Sequence, residues 1–104
     1  MIKHMVMWKL KDEIRSDPRR RAEVIAEQSR RFDAMRAKIP EISNLAVHTG
    51  RSHTGDFYDF VVIMDFADWD ALERMQSAPA HHNPSDMEFV AQIRQAKAVV
   101  DYEI

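Results

Sequence analysis

The chain has 104 residues, 45% of them hydrophobic and 31% charged, which is the make-up of an ordinary soluble globular domain with room for one hydrophobic core. It contains no cysteine, and this excludes disulfide frameworks, thiol redox chemistry, Cys-ligated zinc and thiolate catalysis. Fifteen Lys and Arg against seventeen Asp and Glu leave a formal charge of −2, which argues against a nucleic-acid partner.

Ile2 to Leu10 reads as a strand: Ile2, His4, Val6, Trp8 and Leu10 share one face, while Lys3, Met5, Met7, Lys9 and Lys11 share the other. Because this segment alternates instead of forming a continuous apolar run, neither a signal peptide nor a membrane anchor is expected, and the location is expected to be cytoplasmic. Asp17 before Pro18 marks a helix start, since the carboxylate can accept a free backbone N–H and proline at the first helical position loses no internal bond. The helix should run to about Lys38 with Ala22, Ile25, Ser29, Phe32, Met35 and Ile39 as its apolar stripe. Pro40 forbids further helix, and Ile42 to His48 alternates weakly as a second strand.

Thr49 to Asp56 holds both glycines and no large apolar residue, so the one flexible loop of the chain is expected there, joining two antiparallel strands. Phe57 to Phe66 carries the strongest strand pattern, with Tyr58, Phe60, Val62, Met64 and Phe66 opposite Asp59, Val61, Ile63 and Asp65. Asp68 caps a short helix from Trp69 to about Ser77 that ends at Pro79, with Leu72 and Met75 inward. His81 to Pro84 forms a connector, Ser85 to Arg94 a helix, and Ala98 to Ile104 a closing strand in which Ala98, Val100, Tyr102 and Ile104 alternate with Val99, Asp101 and Glu103.

Strand, helix, strand, strand, helix pair, strand is the split βαβ order of an α+β, ferredoxin-like fold, a four-stranded antiparallel sheet with its helices on one face. Residues 1–104 are expected to form a single domain. The uncovered face would carry Met5, Met7, Val61 and Ile63, a patch too apolar for a stable monomer surface. The expected partner is a second copy, pairing sheet to sheet as a dimeric α+β barrel.

Lys3-His4-x-Val6-x-Trp8-Lys9, Ile39-Pro40-x-Ile42, Tyr58-Asp59-x-Val61, Ala78-Pro79-Ala80-His81 and Val100-Asp101-Tyr102, in this order over nearly the whole chain, resemble the Dabb family, the stress-responsive A/B barrel domains. The resemblance implies ferredoxin-like chains paired into a dimeric barrel. One plant member is a polyketide cyclase, related here only distantly. Its first-strand histidine, its motif histidine and its tyrosine fall on His4, His81 and Met75 of this chain. Methionine exchanges no proton, so the tyrosine's share of that chemistry is not reproduced.

From the residues themselves, His4 on the inward strand face and His81 in the connector are the candidate acid/base pair, and Asp101 on the neighbouring strand would orient His4. Asp101 equally makes His4 a hydrogen-bonded core residue. His82, being adjacent to His81, is expected to point elsewhere. Trp8, Phe32, Phe60, Val62, Met64 and Met75 would line a site for a small apolar or aromatic molecule, although the same spacing describes core filler. No ligand spacing for a metal and no phosphate-cradling loop is present, so no metal and no cofactor is expected. Arg19-Arg20-Arg21 reads as a solvated helix face, since Glu23, Glu27 and Asp33 share the helix. The leading expectation is a binder of a small organic molecule with cofactor-free proton transfer, of the cyclase or aldol kind. A non-catalytic stress or structural dimer and a cofactor-free monooxygenase are the alternatives.

Overall fold

The computed structural model describes residues 1–51 and 57–104. Its elements in chain order are β1 (Ile2–Leu10), α1 (Asp12–Arg15), α2 (Pro18–Lys38), β2 (Asn44–Thr49), β3 (Phe60–Phe66), α3 (Trp69–Ser77), a 3-10 turn (Pro79–His82), α4 (Pro84–Ile93) and β4 (Arg94–Glu103). The four strands form an antiparallel sheet in the order β2-β3-β1-β4, the ferredoxin-like arrangement. Most of the loop expected over 49–56 lies outside the described residues. Among the described residues, no helix is long and apolar enough to cross a membrane.

The caps form where their chemistry requires. Asp17 accepts from Arg20 N–H, Asp68 from Ala71 N–H, and Asn83 from Ser85 and Asp86 N–H, each filling donors that a helix start leaves open. α1, a short helix that the periodicity did not suggest, buries Ile14 completely. In β1 the residues Ile2, His4, Val6, Trp8 and Leu10 are all buried, whereas Met7 is exposed, so the alternation assigns the faces as expected. On α2 the buried residues are Ile25, Gln28 and Phe32; Ser29 is only partly buried and Ala22 is exposed, so a polar side chain occupies the middle of the inward stripe. On α4 Met87 is exposed, while Ile93 is buried.

The core lies between the sheet and the helices. Trp8, Phe32 and Phe60 meet there with centroid separations of 5.5 Å for Trp8–Phe32 and 5.2 Å for Trp8–Phe60. Fully burying a side chain such as Phe60 contributes on the order of 1.5–3 kcal/mol relative to exposure.

β3 begins three residues later than its alternation predicts. Asp59 is fully buried at a bend just before the strand. It accepts from Leu10 N–H at 2.7 Å, from Arg21 Nε at 2.8 Å and from Arg15 Nε at 3.1 Å. Arg15 also donates to Phe57 O and Arg21 to Gly50 O, which ties both sides of the β2–β3 connection to the helix layer. Arg21 therefore departs from the solvated face expected for the arginine run, whereas Arg19 and Arg20 are exposed.

Gly50 approaches this hub closely. Its N–H donates to Asp59 O at 2.7 Å, and a Cβ at its position would stand 2.8 Å from Tyr58 O and 3.2 Å from Asp59 O. Both obstacles are backbone and cannot swing away. Gly50→Ala is expected to cost about 1–3 kcal/mol, read as a lower urea midpoint at unchanged slope. An unshifted midpoint would contradict this packing.

Candidate functional site

A cavity of about 500 Å³ opens between the sheet and the layer formed by α2, the 3-10 turn and α4, within the size range of small-molecule sites. Val6, Val62 and Met64 make its floor, and Trp8 and Phe32 supply aromatic surface.

His4 and His81 both face this space. His4 is 7% exposed and lies directly opposite Asp101 in the β1–β4 register, and its Nδ1 bonds to Asp101 Oδ1. The ring stands edge-on to Phe66. With Nδ1 engaged by the carboxylate, Nε2 is the atom free to exchange a proton with a guest. The pairing that would hold a core histidine is thus present on a histidine that also borders a cavity.

His81 sits on the 3-10 turn, which Pro79 initiates and whose His81 N–H bonds to Ala78 O. Partial burial pushes its imidazole below the usual histidine range, the positive charges of His82 and His4 push the same way, and the Gln76 carbonyl pulls weakly against them. It is therefore neutral, and able to take a proton, down to a lower pH than a free histidine. His82 does not point away as expected. Its ring lies perpendicular to that of His81 at 4.8 Å, its Nε2 bonds to Gln76 O at 2.7 Å, and it too borders the cavity.

Of the apolar residues predicted to surround a ligand, Trp8, Phe32, Val62 and Met64 are on the wall. Phe60 and Met75, 2% and 0% exposed, belong to the packed core and not to the wall, because their inward direction is filled by neighbouring side chains. The periodicity could not separate a core position from a cavity position, since both face inward.

Sequence reasoning passed over several polar wall residues, among them Gln28, Arg31, Arg94 and Lys97. Gln28 is 4% exposed and its Oε1 has no hydrogen-bond partner among the described residues. Its signal was its place between Ile25 and Phe32, at steps of three and four. Arg31 bonds Asp86 at 2.8 Å and Glu27 at 3.2 Å and lies over the Phe89 ring. Arg94 lies over the Trp8 ring at 4.9 Å.

Several solved structures share this fold. A dimeric protein of unknown function with a ferredoxin-like fold from Bacteroides fragilis matches with a TM-score of 0.80 at 23% identity, over 99% of this chain and 95% of that one. A dimeric ferredoxin-like protein of unknown function from Thermobifida fusca matches at 0.72 and 22%, over 99% and 90%. A structure described as an antibiotic biosynthesis monooxygenase matches at 0.66 and 18%, over 100% and 98%. No curated protein matches the sequence. The model of the stress responsive A/B barrel domain spans residues 2–104, and with sheet order, helix layer and family pattern in agreement, the chain belongs to the Dabb family.

Proposed function

We propose that this Dabb protein is a single-domain homodimer that binds a small apolar or aromatic molecule in the sheet–helix cavity and transfers a proton on it without a cofactor, as an aldol or cyclisation step requires. The observation that carries this reading is the convergence of two histidines on one largely apolar cavity, one oriented by Asp101 and the other with its pKa lowered by partial burial. Neutral His81 takes a proton from a C–H next to a carbonyl while His4 Nε2–H donates one to the carbonyl oxygen, giving the enol with the guest's proton count conserved and the proton lost by His4 balanced by the one gained by His81. An interior of this volume counts against a purely structural role, for which a filled core would serve better.

Pairing with a second copy is supported by the uncovered sheet face. Met5, Met7, Val61 and Ile63 lie there beside Val100 and Tyr102, of which Met7, Val100 and Tyr102 are exposed. The related structures from Bacteroides fragilis and Thermobifida fusca are described as dimeric.

His4→Ala and His81→Ala are each expected to weaken binding of a panel of aromatic and polyketide-like compounds by about tenfold, or roughly 1.4 kcal/mol. Any turnover found should fall away only below the ordinary histidine pKa of about 6.5, because the proton-accepting form of His81 is lost as pH drops through its lowered value. Binding unchanged in both variants would overturn the assignment. Oxygen uptake with an aromatic substrate would instead favour monooxygenase chemistry.

A further inference from the structure

The charges around the cavity are not balanced. Arg31 is neutralised by Glu27 and Asp86, and His4 by Asp101. Arg94 and Lys97 border the same cavity, and among the described residues no acidic side chain lies within ion-pair distance of either.

Their shared direction has a structural cause. Residues of a regular strand alternate, so positions 94 and 97 should face opposite ways. Between Lys9 and Leu10 the β1–β4 register shifts: Trp8 pairs with Lys97, Lys9 with Ala96 and Leu10 with Arg94. Trp8 and Leu10 both face the helices, so the irregularity brings Arg94 and Lys97 to the helix side together. Arg94 is held in place by its stacking on Trp8, which occupies the face of the guanidinium and leaves its N–H edge free. Partial burial pulls its pKa below the ordinary arginine value, the mark of a cation that has lost water without gaining a counter-charge.

A second feature is independent of charge. Gln28 Oε1, on a residue only 4% exposed, borders the cavity with no donor among the described residues to meet it. A buried acceptor left open is unfavourable, and a guest donor removes that penalty.

We infer that the guest is an aromatic acid carrying a hydroxyl group, its carboxylate held by Arg94 and Lys97, its ring along Phe32, Val62 and Met64, and its hydroxyl donating to Gln28 Oε1. This inference rests on the cavity reading above and specifies the chemical class that the cavity takes. The planar guanidinium edge matches a carboxylate in two-point contact, and Lys97 adds a mobile point charge.

Calorimetric titration of the full chain with 4-hydroxycinnamate, its neutral amide and unsubstituted cinnamate tests this. The acid is expected to bind about tenfold tighter than the amide, as a charge-assisted contact does, and tighter than cinnamate. In Arg94→Gln the preference for acid over amide should shrink to roughly threefold or less, with a similar change in Lys97→Gln, while amide binding persists. In Gln28→Leu the preference for the hydroxylated ring should vanish and the acid preference remain. Equal affinity for acid and amide in the unaltered protein, or ratios untouched by all three variants, would overturn the assignment while leaving the cavity reading intact. Failure of all three compounds to bind would remove both.

Discussion

Asp59→Ala should destabilise the protein by about 3–5 kcal/mol, although Asp59 is not among the residues that line the cavity. The carboxylate is 0% exposed and neutralises two arginines whose side chains are themselves only 13% and 20% exposed. Its removal leaves both guanidinium groups half-buried without a counter-charge and strands the N–H of Leu10. Such a loss approaches the total stability of a small domain, 5–15 kcal/mol, and should lower the melting temperature by roughly 12 °C or more if the chain folds at all. Asp59→Asn separates the contributions, because it keeps an acceptor for Leu10 and removes only the charge. A melting temperature within a few degrees of the unaltered protein in both variants would show that the hub is not a stability element.

Ile63→Asp should convert the protein from a dimer into a monomer. Ile63 sits in the middle of the uncovered face, paired across to Met5 on β1 and to Ala46 on β2. In a sheet-to-sheet dimer each copy would bury one carboxylate against apolar side chains and close to its own symmetry mate. Desolvation and like-charge repulsion then act together, and their sum of several kcal/mol corresponds to a 10³-fold or larger loss of association, on the order of RT ln K. In a lone sheet the same aspartate would remain in water and cost little. Sedimentation at micromolar concentration should therefore give twice the 12.2 kDa chain mass for the unaltered protein and the single mass for the variant. A monomeric unaltered protein, or a variant that still dimerises, would refute this use of the face. A cooperative melt of the variant would confirm that the helix-side core survives separation.

The local elements were legible because their causes are local. Alternation along Ile2–Leu10 and Phe60–Phe66 places each side chain on a face through the geometry of the strand alone, and Asp17, Asp68, Pro18 and Pro79 act on backbone groups within one turn. Register is nearly as direct: with β1 between β3 and β4, Asp101 can only fall near His4, so the pair that anchors the candidate site was readable from the chain.

What the tertiary structure decided depends on residues distant in sequence or on small rotations about an axis. Arg15 and Arg21 meet Asp59 across 44 and 38 positions, and no periodicity reports such a meeting, so Asp59 was expected on a strand and not at a buried charge hub. Inwardness alone did not tell Phe32, on the cavity wall, from Met75, in the core, because that distinction is set by whether an opposing element arrives to fill the space. The turn of α2 that buries Gln28 in preference to Ser29, and the register shift that aims Arg94 beside Lys97, are settled by how helix and sheet dock together. Sequence periodicity determined which residues face inward, and packing determined where an open space remained among them.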